Sequence, residues 1–171
     1  TASLGRTQQR MQPPPADALA EHVAGRLMAR AGDWPRASPN ALVAAQTFQT
    51  MLKVTDSSEG AVFCRAFAER GCLRAVVAVL EETAEHIARQ AKNVAPYGFG
   101  ENMTMTPEVK QMVMLADVQT MGLTLLSNFA AAAEAGEDST VAAEVRASKP
   151  MGIVVRSMSL YPDNPEHVEA G

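Results

Sequence analysis

Residues that build reactive or membrane-bound sites are scarce in this chain. Aromatics make up 5% of its 171 residues, and cysteine occurs twice, at Cys64 and Cys72 with seven residues between. That spacing is neither the short step of a zinc knuckle nor a redox pair, and free cysteine is among the most buried residue types, so both are expected as reduced core thiols. Reduced thiols point to a reducing compartment, the cytoplasm first, with an organelle or a cilium as other settings. No uninterrupted apolar run approaches the roughly 18 to 20 residues a membrane helix needs, and no membrane insertion is expected. The fifteen Lys and Arg residues are dispersed and the formal charge is −4, which leaves no electrostatic footprint for nucleic acid.

Motifs of catalysis are missing as well. Gly98 and Gly100 lack the following Lys and Ser or Thr of a phosphate loop, and Glu101 would repel an anion. No serine sits in a Gly-x-Ser-x-Gly elbow. His22, His86 and His167 fall on separate segments. Glu82 and His86 share a helix face at a spacing that could supply two metal ligands, but no third is indicated, and a surface ion pair is the expected use. Neither a metal nor another cofactor is expected, and the chain does not read as an enzyme.

What is present favours helix. Apolar residues make up 47% and charged residues 20%, with ten methionines and abundant alanine, a balance of close-packed helices with adaptable gap filling. Residues 1–15, with Arg6, Arg10 and the prolines at 13–15, read as a disordered leader, or a remnant of a targeting segment. From 16 onward, apolar spacing and stop signals predict helices over 16–31, 39–54, 61–70, a long amphipathic one after Gly71, 107–134, 139–148 and 150–160. A long loop, 93–106, interrupts them. The last segment, 162–171, reads as a turn and the opening of a further helix.

Two of these segments echo one another. Phe63, Phe67, Leu73, Val76, Val77 and Leu80 are answered by Val141, Val145, Met151, Val154, Val155 and Met158, each at one offset (141 − 63 = 158 − 80 = 78). Apolar positions recurring in this way predict stacked helical units, because each unit has a face that only its neighbour can cover.

The stretch from Phe67 through Gly71 to Leu80 resembles the armadillo junction, in which an apolar helix end meets Gly and then a leucine-rich helix. Leu125, Leu126, Ser127, Asn128, Phe129 and Ala130 resemble that family's third-helix signature, and Asp163 to Val168 the start of another third helix. The resemblance runs from about Asn40 to the C-terminus. It implies an all-α, armadillo-like, right-handed solenoid segment over 16–171, continuing beyond the C-terminus as part of a larger polypeptide or complex. Two features depart from the pattern: the family's unit is about forty residues, and Thr124 stands where peptide-binding members often carry Trp, which argues against basic nuclear-import peptides.

The function implied is a non-catalytic scaffold for a protein or peptide partner. By resemblance the third-helix groove would use Asn128, whose amide donates and accepts at once, with Thr124 and Gln119 as neighbours; a bond within the fold is the other use of Asn128. Tyr97 and Phe99 in the long loop either pack as a flap or touch the partner. Met103 is an interface candidate in the same loop, whereas Met112, Met114 and Met121 are expected to fill the core. Two other functions fit the same composition: a structural subunit of a large ciliary or organellar assembly, and the helical domain of a larger enzyme.

Overall fold

A computed structural model describes residues 15–28, 38–94, 107–135 and 139–160. Among them the chain is all-helical, with α1 (Ala16–Met28), α2 (Ser38–Thr55), α3 (Gly60–Glu69), α4 (Cys72–Val94), α5 (Pro107–Ala135), α6 (Ser139–Ser148) and α7 (Met151–Leu160) packed together. The seven helices predicted between 16 and 160 are there, α4 running two residues into the segment read as a loop from 93, whereas the further helix opening at 162–171 lies outside the described residues. The described part of α1 ends at Met28, and the expected extension to residue 31 lies outside the described residues. No helix among them is long and apolar enough to cross a membrane.

Local chemistry sets the boundaries. Pro15 and Asp17 open α1, the ring where a missing N–H costs nothing and the acid where the helix dipole favours it. At the end of α3 the Arg70 N–H bonds the Phe67 carbonyl at 3.2 Å and the Gly71 N–H bonds that of Ala68 at 3.0 Å. Gly71 then adopts a left-handed φ of 67°, which glycine enters without the Cβ penalty. Between α6 and α7 the left-handed residue is Lys149, at φ 48°. These two positions differ by 149 − 71 = 78, the offset of the apolar echo. The Pro150 carbonyl accepts the Val154 N–H at 3.0 Å, so proline sits just ahead of α7 and the helix proper starts one residue later than its sequence predicts.

Like helices lie against like. The most extensive helix pairing is α2 with α5, while α3 packs on α6 and α4 on α7, with α1 on the other side of α3 and α4. Phe48, Phe67 and Phe129 are wholly buried at the centre. The Phe67 ring lies 6.4 Å from that of Phe63 and 6.5 Å from that of Phe129, which ties α3 to α5. Met112, Met114 and Met121 are half-buried against the apolar clusters, the gap filling expected of them.

The echo breaks at two places. Leu73 and Val77 are 0% and 6% exposed, but their counterparts Met151 and Val155 are 70% and 62% exposed. On α4 these positions lie about 160–200° round the helix from Ala75, which lines a groove beside α1; they therefore point away from α1, toward the side that meets α6 and α7. On α7 that side has no neighbour among the described residues.

The junction before α4 is capped from another helix. Gly71 has no side chain to offer, and the Glu144 carboxylate, on α6 and only 7% exposed, accepts the Arg74 backbone N–H at 3.3 Å and its Nε at 3.1 Å. A carboxylate there meets both an unpaired donor and the positive end of the helix dipole. Glu144→Ala is expected to cost about 2 kcal/mol, combining a lost cap with a lost ion pair, read as a lower urea midpoint. No change in midpoint would mean that water caps α4 equally well.

Both cysteines are buried and free. Burial pushes the Cys64 thiol from 9.0 up to about 11. It pushes Cys72 up to about 12, helped by the Glu144 charge and opposed by Arg70 and by a backbone hydrogen bond. Folded thiols thus hold their protons more tightly than unfolded ones, so their contribution is complete below pH 9 and is lost as pH rises toward 11 and 12. The urea midpoint should fall between pH 8.5 and about 10.5, and less steeply in the Cys64→Ala, Cys72→Ala double variant. Equal slopes in the two proteins would contradict this.

Candidate functional site

The candidate residues on α5 divide between two sides of the helix. Side chains turn about 100° per residue, so Thr124 and Asn128, four apart, share a face with Val113 and Asp117. Gln119, nine residues from Asn128, points to the opposite side. Val113 is 42% exposed, Asp117 is exposed, and Thr124 and Asn128 are half-buried. Together these four make a mixed polar and apolar stripe along the outward face of α5.

Asn128 is anchored within the fold. Its Nδ2 donates to the Thr55 Oγ1 at 3.0 Å and to the Asp56 Oδ1 at 2.8 Å, clamping α5 to the C-terminal end of α2. The donor half of the amide is therefore committed to a neighbouring helix. Thr124 donates its hydroxyl to the Thr120 carbonyl one turn earlier, at 3.0 Å, and is half-buried.

Gln119, expected beside these two on a partner-facing surface, is instead fully buried. Its Nε2 donates to the Leu80 carbonyl at 2.7 Å and to the Thr83 hydroxyl, while its Oε1 accepts from the Ser157 hydroxyl at 2.5 Å. One amide thereby joins α4, α5 and α7, and none of it reaches a surface. The nine-residue separation from Asn128 already carried this signal. Tyr97, Phe99 and Met103 lie outside the described residues.

A second concavity leaves no mark in the sequence pattern. An open groove of about 380 Å³ runs between the end of α1, at Leu27 and Met28, and the Ala75, Ala78 and Val79 side of α4, with Arg74 and Glu82 at its edges. Its walls come from residues more than forty apart, and spacing within one helix cannot reveal that. Farther along α4, His86 has a buried Nε2 without a hydrogen-bond partner. Burial, and then the Arg89 charge, lower its pKa below the ordinary 6.5, so it is neutral at pH 7. Among the described residues no group of three His, Cys, Asp or Glu side chains could hold a metal ion.

No protein-family model, no curated protein and no solved structure matches this chain. Its function therefore has to be drawn from its own geometry.

Proposed function

We propose that the chain is a segment of an armadillo-like, right-handed helical solenoid that acts as a non-catalytic scaffold for protein–protein recognition. The observation that carries this reading is the agreement of three independent features at one spacing: the apolar echo, the left-handed residues at 71 and 149, and the packing of α3 on α6 and α4 on α7. Units of this kind gain stability from their neighbours and leave a continuous face for binding. The face belonging to α2 and α5 is the candidate, with Val113, Asp117, Thr124 and the outward edge of Asn128 touching an extended protein or peptide segment. A protein held in this way needs neither cofactor nor metal.

The test is capture of the protein from its own source under native conditions, followed by cross-linking to locate the contact, for wild type and for Thr124→Arg. The expected result is a stoichiometric polypeptide partner cross-linked to the α2–α5 face, lost or weakened at least about tenfold by the arginine, with the helical signal and the unfolding midpoint unchanged. A chain that carries a small ligand and turns it over, or a partner indifferent to Thr124→Arg, would overturn the proposal.

A further inference from the structure

The two edges of the helical array differ in a way that specifies a partner. At one edge α7 exposes Met151 and Val155, four residues apart on one face. In the preceding unit their counterparts Leu73 and Val77 are buried, on the side of α4 where α6 and α7 pack. The repeat thus indicates the kind of surface these side chains need, namely the flank of another helix of the same array. Glu144 on this helix pair is bound to Arg74, and Arg156 reaches back to Glu85 on α4 at 3.7 Å, which leaves the exposed Arg146 and Lys149 as the basic residues toward this edge.

At the other edge lies the outward side of α1. Leu19, Ala20, Val23 and Leu27 are buried, which leaves Ala18, Glu21, Gly25 and Met28 on the opposite side at three-, four- and three-residue steps. Met28, 50% exposed, ends this row at the rim of the groove against α4. A Cβ built on Gly25 would find nothing within 4 Å, so a neighbouring side chain has room to approach the backbone there. Asp17 and Glu21 are exposed on or beside this edge, while the half-buried Arg26 lies about 100° round the helix from Gly25. An apolar pair with Lys149 just ahead of its helix at one end therefore matches a small-residue flank bearing Asp17 and Glu21 at the other, and the two are complementary in size and charge.

From this we infer that the chain self-associates head to tail, the Met151 and Val155 face of one copy seating on the Ala18, Glu21 and Gly25 flank of the next. The contact continues the α4 to α7 packing from one copy to another, and it rests on the repeat reading given above. Because the two surfaces differ, the association is heterologous and does not close at two copies. It weakens with added salt, since part of the attraction is between exposed charges.

Sedimentation velocity of the full chain over roughly 1 to 200 µM tests it, a range in which a contact of modest size is measurable. Wild type should show a mass average that rises beyond the dimer with concentration. Val155→Glu and Gly25→Arg should each weaken association at least about tenfold, while thermal unfolding, measured in parallel, stays within a few degrees of wild type because both positions are exposed. Mixed together, the two variants should restore one intact contact and form a 1:1 dimer that grows no further. A wild-type chain that stays monomeric, a species that saturates at two copies and ignores Gly25→Arg, or variants that fail to complement would each overturn the inference. A monomer whose partner still depends on Thr124 would leave the scaffold function standing without self-association. A head-to-tail polymer whose partner ignores Thr124→Arg would leave self-association standing without that function.

Discussion

Replacing Gln119 by alanine is expected to lower the stability of this protein by about 3 kcal/mol. The amide is wholly buried, and so are Thr83 and Ser157, two of its partners. Truncation would strand the Ser157 hydroxyl without its acceptor, remove the donor shared by the Leu80 carbonyl and Thr83, and leave a cavity where α4, α5 and α7 meet. Each stranded buried group costs about 1–3 kcal/mol, which sets the scale. Gln119→Leu tests the cause, since it retains most of the volume while removing every polar bond. Were the loss a matter of volume alone, leucine would restore stability; we expect it to recover less than half. Ser157→Ala should cost about 1 kcal/mol and be much less costly in the Gln119→Ala background, because the two act through one bond. Urea unfolding of wild type and the four variants measures all of this, and a Gln119→Ala loss below about 1 kcal/mol would mean that the network contributes little.

Gly60→Ala should be similarly severe, with a sign that helix propensity gets wrong. Gly60 is the first residue of α3, where exchanging glycine for alanine would by propensity alone stabilise by up to about 1 kcal/mol. The structure forbids it: a Cβ there would lie 2.1 Å from the Thr55 carbonyl oxygen and 3.0 Å from its carbon. The obstacle is backbone at the end of α2, so a side-chain rotation cannot relieve it. The α2–α3 turn must open, and we expect a loss of about 3 kcal/mol. The same movement disturbs Thr55 and Asp56, the two residues that hold Asn128, so the variant should also loosen the candidate binding face. Hydrogen exchange at the C-terminal half of α5 reads that second effect. A stabilised Gly60→Ala protein would show that the turn relaxes freely.

The helices were legible because their causes are local. A three-four apolar rhythm, Pro150 ahead of α7 and Gly71 behind α3 act within a turn or two, so the observed starts of α2, α3, α6 and α7 fall within one residue of those read from the pattern. The candidate site was legible only in part. Asn128 and Thr124 do share a face, but Gln119 was grouped with them by proximity in sequence, whereas nine residues of helix turn it inward. Nor did anything near Asn128 in sequence announce Thr55 and Asp56, more than seventy residues away.

Sequence was enough to establish that the described residues are helical, where most of their helices begin and end, and that an apolar pattern recurs at an offset of 78, since hydrogen bonds four residues apart and the conformational limits of glycine and proline decide where helices start and stop. Packing alone decided that Gln119 is a buried tie among three helices, that Glu144 caps a helix other than its own, and that Met151 and Val155 stay uncovered while Leu73 and Val77 do not. Those outcomes depend on which surfaces meet, and a side chain's neighbours across the core are set by the arrangement of whole helices rather than by the residues beside it in the chain.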